Sequence, residues 1–301
     1  MVFKHQVVND LAFVLKAPLI YQDLDIAKYW LPDSQDKLIQ LDKNPKSLVQ
    51  MVEACKSHFL GSYFETLFSF ALNHFSSLKI VLEHTQLISP ERTLGEIDAL
   101  VTDANGQAHQ LEVAIKFYLE SSDEVGHWIG PNKNDSFVKK YQRAKAHQLT
   151  ILDLPEAKPL LEQYSLSLPI ERHLLMFGVL FKQLADLGSL ALFESDKTHF
   201  EKNKNKEINP YAKSGFWVRI NNLNWLHKGF FSSQEMLKPF WISTPIDQEV
   251  ATNKWQNFHA WQADLEGKFK EDERPRLFLL TRRKEGGSSK NLRLFVVPEH
   301  W

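Results

Sequence analysis

The sequence predicts a mixed α/β (α+β) fold: a helix, three strands, a second helix and a further strand, forming a mixed sheet flanked by helices. Three observations carry that expectation. Apolar residues between 48 and 76 recur at helical spacing, from Leu48, Val49 and Val52 through Phe59 and Leu60 into the run from Tyr63 to Leu72. Asn105-Gly106 separates two strand-like runs, one carrying Leu94, Ile97, Leu100 and Val101, the other alternating from His109 to Phe117. Asn-Gly between such runs is a strong hairpin signal, because both residues tolerate positive φ. His173-Leu-Leu-Met-Phe-Gly-Val-Leu-Phe181 is almost uninterrupted apolar sequence, as expected of a strand covered on both faces.

In chain order, Val7, Leu11, Val14 and Leu15 mark a helix over residues 6–16, which Pro18 stops. Residues 19–52, with Pro32 and Pro45, read as loop-rich and helical. Residues 1–54 therefore form an N-terminal helical decoration, with Tyr29-Trp30-Leu31 as a core plug. In the long helical region, Gly61 marks either a break between two helices or a tight packing point. Leu78 to Thr85 reads as a strand, with a turn at Ser89-Pro90. After the hairpin, residues 120–134 carry Gly126, Trp128, Gly130 and Pro131, a loop suited to a crossover or a substrate clamp. A helix follows over 135–149, capped by Asn134 or Asp135. It turns Phe137, Tyr141, Ala144 and Leu149 inward and groups Lys139, Gln142 and Arg143 on another face.

The apolar strand then closes a core over residues 55–185. Residues 186–301 form an aromatic-rich, β-containing extension. Its strands centre on Trp217-Val218-Arg219, Leu277 to Leu280 and Leu292 to Val297, with a hairpin tip at Gly286-Gly287-Ser288-Ser289. Trp225, Trp241, Trp255, Trp261 and Trp301 weight it with aromatic rings, which in a β-rich segment belong to the core more often than to a stacking surface. The polar, mostly basic run 196–206 reads as a surface connection.

The chain has 301 residues, of which 43% are hydrophobic, enough for a sizeable core. A net charge of −1 counts against a constitutively tight nucleic-acid binder, although a local basic cleft is compatible with it. Cys55 is the only cysteine, so no intrachain disulfide forms, and a buried inert thiol is expected. Lys4, Asn9, Asp10 and Lys16 interrupt the N-terminus, which makes a poor signal peptide. No apolar run reaches the roughly 18 residues of a membrane span. A cytoplasmic location is expected. His84, His109, His147 and His173 lack the spacing of a zinc set, and Walker-type loops and Gly-x-Ser-x-Gly elbows are absent.

The chemistry sits in residues 93–118. Glu96 and Asp98 are two apart on one strand and share a face. Glu112, Ala114 and Lys116 share a face of the next. A half-exposed hairpin can hold such charges in solvent. Acids facing one another across strands, however, repel and call for a cation, and Mg²⁺ is typically held by one or two carboxylates. Glu65 interrupts a nearly all-round apolar helical segment, and a buried acid needs a partner or an ion.

A helix-borne Glu, a hairpin Asp, then a Glu with a nearby Lys resembles the PD-(D/E)XK nuclease superfamily. The segments Gly-Glu-Ile-Asp (95–98) and Leu-Glu-Val-Ala-Ile-Lys-Phe-Tyr (111–118) are similar to those of an uncharacterised bacterial family of unknown function within it. The resemblance covers about residues 55–185 and implies a restriction-endonuclease-like core. It also implies metal-dependent hydrolysis of phosphodiester bonds in nucleic acid, DNA above all. The motif Asp is Asp98 and the motif Glu is Glu112. The motif Lys falls at 114, where this chain has Ala114, and Lys116 lies two residues further along the same face. Asp98 and Glu112, with Glu65 and Glu96, are then the ligands of Mg²⁺ or Mn²⁺. Asp98, Glu112, Lys116 and Glu65 are the catalytic set, and Lys139, Gln142 and Arg143 bind the nucleic-acid backbone. The missing Lys and near-neutral charge leave an alternative, a nuclease-like scaffold that binds nucleic acid or a protein without chemistry.

Overall fold

A computed structural model describes residues 2–55, 57, 59–121, 127–166, 169–184, 207–226, 232–235, 242–243, 256–283 and 289–301. The architecture is mixed α/β, with a large mixed sheet flanked by helices. By internal packing the chain divides into two units, Met1–Lys116 with Val138–Phe177, and Phe117–Phe137 with Gly178–Trp301.

In the first unit, helix α1 (Gln6–Lys16) buries Val8, Leu11, Val14 and Leu15. It ends as expected before Pro18, because Ala17 must be extended ahead of a proline ring. Helices α2 (Ser34–Lys43) and α3 (Lys46–Glu53) follow. The core helix α4 (Leu60–Phe75) buries Phe64, Leu67, Phe68, Ala71, Leu72 and Phe75. Gly61 lies inside α4, and the break between helices falls before it. The rings of Phe64 and Phe68 pack on Phe177 at 5.0 and 5.9 Å between centroids, contacts that fix how α4 lies on the sheet.

Strands β2 (Lys79–Ile88), β3 (Thr93–Thr102) and β4 (Ala108–Glu120) form an antiparallel meander. The sheet continues to β6 (Glu171–Gln183), which the two-residue strand β1 (Tyr21–Gln22) also pairs. The β3–β4 turn differs from a two-residue Asn-Gly turn: only Gly106 takes a positive φ, 82°. The Asp103 carboxylate organises the rest by accepting from the N–H groups of Asn105 and Gln107, each at 2.9 Å. Leu82, Ile97 and Leu100 bury against Ile151, Leu152 and Leu161 of the segment that includes α6 (Lys158–Gln163). The helix predicted over 135–149 is α5 (Phe137–Arg143), continued by a π-helical turn over Ala144–Gln148.

In the second unit, β7 (Ser214–Arg219) pairs parallel with the end of β6 and with β10 (Ser289–Val297). Strand β9 (Arg276–Arg283) lies antiparallel between β10 and β8 (Ser232–Glu235). The three strand centres expected here are present, and β5 (Trp128–Ile129) adds a short pairing with the end of β4. Trp128 is fully buried, so its ring is core rather than clamp. The unit also holds a helix the sequence reading passed over, α7 (Phe258–Glu271). Asn257 caps it by accepting from the Ala260 N–H, and Phe258, Trp261 and Leu265 pack on Phe278, Leu280 and Leu292. With the partly buried Phe269 they give that inner face a single apolar residue per turn among polar neighbours, a thin stripe. Gly126, the 196–206 run, Trp241, Trp255, the side chain of Trp225 and the tip at 286–288 lie outside the described residues.

Candidate metal centre

Every sequence-nominated carboxylate lies in the first unit. The regular β3–β4 pairing runs from Thr102↔Ala108 to Ala99↔Leu111. At that point the Asp98 side chain takes over, its Oδ2 accepting from the backbone N–H of Val113 at 2.8 Å. A carboxylate thus stands where a ladder carbonyl would, and it is held facing the neighbouring strand. Glu112, 3% exposed, stands opposite Asp98 when the Ala99↔Leu111 register is carried one residue on, and its carboxyl feels the Asp98 charge. The two acids share one side of adjacent strands. Burial raises both carboxyls well above the ordinary range. Asp98 raises Glu112 further, while the Val113 N–H and the Lys140 ammonium hold Asp98 down.

Glu65 and Glu96 complete an acidic group. Glu65, half-buried on α4, is raised by burial, and the charges of His84, Glu96, Glu112 and Lys140 act on it. One turn on, Ser69 donates to Glu83 of β2 at 2.8 Å, which ties this face of α4 to the sheet. Glu96 is exposed, with its carboxylate 3.6 Å from His84 Nδ1. His84 sits between the pairs Glu83↔Ala99 and Thr85↔Ile97, beside Asp98, and adopts φ 47° inside a strand. Backbone strain of this kind concentrates at functional sites.

The cation that meets Glu112 is Lys140 of α5, with Nζ to Oε1 at 2.7 Å. The same ammonium donates to Gln148 Oε1 at 3.0 Å. Gln148 closes the π-helical turn, and its backbone carbonyl accepts from Gln110 Nε2 at 2.9 Å, which anchors that turn to β4. Single π turns recur at functional sites. Ala114 is buried where the motif amine is expected, and Lys116 lies half-buried two residues beyond it. Lys139, Gln142 and Arg143 lie on the exposed side of α5. Lys140 and Gln148 are the residues the sequence reading missed. A signal was present: Lys140 is three residues after inward-facing Phe137 and four before inward-facing Ala144, which sets it on the inner stripe.

Two of the histidines that sequence spacing leaves unrelated also come together. His109 and His173, 64 positions apart, meet with Nδ1 to Nε2 at 3.1 Å. Among the described residues no helix is long and apolar enough to cross a membrane.

Neither a curated protein nor a solved structure gives a significant match to the chain. A family model matches residues 9–297, which span both units and every residue of the centre. By that match the chain belongs to the family described as domain of unknown function (DUF1853).

Proposed function

We propose that the protein is a metal-dependent phosphodiesterase of the PD-(D/E)XK kind that hydrolyses nucleic acid, with DNA as its substrate class. The observation that carries the reading is that Asp98 and Glu112 share one side of adjacent strands, with the Lys140 ammonium 2.7 Å from Glu112 Oε1. The element order α4, β2, β3, β4, α5, β6, with the short β5 and α6 inserted on either side of α5, supports the helix–three strands–helix–strand core expected of that superfamily.

The donor set fits Mg²⁺ or Mn²⁺. Hard dications take oxygen ligands, and two buried carboxyls raised by burial and by neighbouring acids gain from a positive charge between them. Asp98 and Glu112 would hold the ion, with Glu65 and Glu96 within electrostatic reach. When bound, such an ion polarises a phosphoryl oxygen and lowers the pKa of its water. The residues do the rest. Lys140, fixed between Glu112 and Gln148, presents a positive charge where negative charge builds on the phosphate. Such groups are typically worth several kcal/mol in the transition state. Lys140 thereby supplies the amine absent at position 114. Lys139, Gln142 and Arg143, on the outer face of the same helix, can contact flanking phosphates.

Asp98→Ala and Glu112→Gln are expected to lower Mn²⁺-dependent cleavage of single- or double-stranded DNA by at least about 100-fold with circular dichroism unchanged. Mg²⁺ or Mn²⁺ is expected to raise the unfolding temperature of wild type and not of Glu112→Gln. A metal shift without cleavage of any DNA or RNA substrate would leave a binding scaffold. No shift and no cleavage would refute the metal reading altogether.

A further inference from the structure

We propose that His109, Glu171 and His173 form a second metal site, built for a first-row dication of the zinc class. The residues come from the starts of neighbouring strands. His109 is the second residue of β4, while Glu171 and His173 are the first and third of β6 and share a face. On β4, His109 and Glu112 are three apart and point to opposite sides of the strand. The site is therefore separate from the carboxylate centre and does not depend on the nuclease reading.

Three donor atoms converge. His109 Nδ1 lies 3.1 Å from His173 Nε2 and 3.3 Å from Glu171 Oε2, and His173 Nε2 lies 3.4 Å from the same oxygen. The triangle is nearly equilateral. A tetrahedral ion with ligand bonds of about 2.0–2.1 Å has edges of about 3.3–3.4 Å between its donors, and two His with one Glu is an established zinc donor set. Both imidazoles are buried while Glu171 is exposed. A fourth position would thus open on the Glu171 side, to water or an anionic ligand.

Proton placement argues the same way. His109 Nε2 is buried without a hydrogen-bond partner and lies 3.9 Å from Asp103 Oδ2. If Nδ1 carries the ring proton, the bare Nε2 faces that carboxylate. If Nε2 carries it, a bare Nδ1 faces Glu171 at 3.3 Å and has His173 Nε2–H, at 3.1 Å, as its donor. Either neutral tautomer sets a lone pair against an anion. A dication on Nδ1 removes the conflict, because Nε2–H then points toward Asp103, the arrangement in which a carboxylate orients a metal-bound histidine. The competing arrangement needs no ion: a His173 Nε2–H that donates to His109 Nδ1 at 3.1 Å.

The test uses the tag-free full chain, stripped with chelator and titrated with Zn²⁺ by calorimetry, and with Co²⁺ by its visible ligand-field absorption. Wild type and Glu112→Gln are expected to bind a single Zn²⁺ equally at this site and to give the intense Co²⁺ spectrum of a tetrahedral site. His173→Ala should lose more than the about 10–100-fold in affinity that outer-shell partners of such sites cost. Because a buried histidine can matter for folding, Glu171→Gln, at an exposed position, is measured in parallel. A natively folded Glu171→Gln that matches wild type in Zn²⁺ affinity and Co²⁺ spectrum would overturn the proposal. So would the absence of Zn²⁺ binding by wild type, or binding lost in Glu112→Gln but kept in the histidine variant.

Discussion

Lys140 ties three parts of the centre together: Glu112 on β4, the π turn through Gln148, and the outer face of α5. Removing it tests the electrostatics directly. Breaking a buried pair ordinarily costs about 3–5 kcal/mol, because a charge is left uncompensated. Glu112 has another recourse, since its carboxyl is already raised to about 7 and loses the opposing pull of Lys140 in Lys140→Met. A carboxyl raised in the folded state contributes stability that is full below its unfolded value of about 4.3 and is lost as the pH climbs through the folded one. Wild type therefore loses the Glu112 contribution through about pH 7, and the variant goes on losing it above that. The gap in urea midpoint between the two is expected to be wider at about pH 9 than at about pH 6. A gap that narrows with pH would refute this account of the pair. The same variant should retain metal-induced stabilisation through Asp98 and Glu112 while losing about 100-fold or more in cleavage, which separates the charge role of Lys140 from metal binding.

Elements decide how accurately these side chains are held. The β3–β4 ladder gives way at Asp98, whose carboxylate takes the Val113 N–H. The π turn sets Gln148 behind Lys140. Helix α4, seated by Phe64 and Phe68 on Phe177, brings Glu65 to the same face. The second unit shows how little slack such packing leaves. A Cβ added at Gly215 in β7 would lie 2.6 Å from Phe181 Cε1 and 2.9 Å from the backbone oxygen of Arg293. The ring belongs to a buried pair with Phe295, and the carbonyl belongs to the paired strand β10. Neither can move aside, so Gly215→Ala is expected to cost about 1–3 kcal/mol in chemical denaturation, as overpacking does. Gly106 is different: its added methyl meets nothing, but its φ of 82° makes Gly106→Ala strained all the same.

At the scale of the whole molecule, a net charge of −1 provides no general attraction for polyanions. Affinity for nucleic acid must come from local cations, and on the proposed reading these are Lys139, Lys140 and Arg143. Three phosphate contacts predict a slope of log affinity against log salt of about −2 to −3 on duplex DNA. Arg143→Ala should make that slope shallower by about 1 while leaving the metal-induced thermal shift intact. A slope unaffected by this change would remove the outer face of α5 from the interface.

By itself the sequence determined what depends on near neighbours. Helical spacing located α1 and α4, the Asn-Gly turn and its alternating flanks located β3 and β4, and the apolar run located β6. The pairing of acids at 98 and 112 followed from that hairpin, because strand period and turn position settle which side chains share a face. Helix α7 escaped, its inner stripe of Phe258, Trp261, Leu265 and Phe269 supplying only one apolar residue per turn among polar neighbours. Tertiary structure alone decided which distant side chains meet. Lys140 reaches Glu112 across 28 positions, and His109 reaches His173 across 64. Those meetings depend on strand order in the sheet and on where α5 lies over it, and chain spacing carries no record of either. Local period specifies an element and its faces, whereas the packing of whole elements selects the partner each face receives.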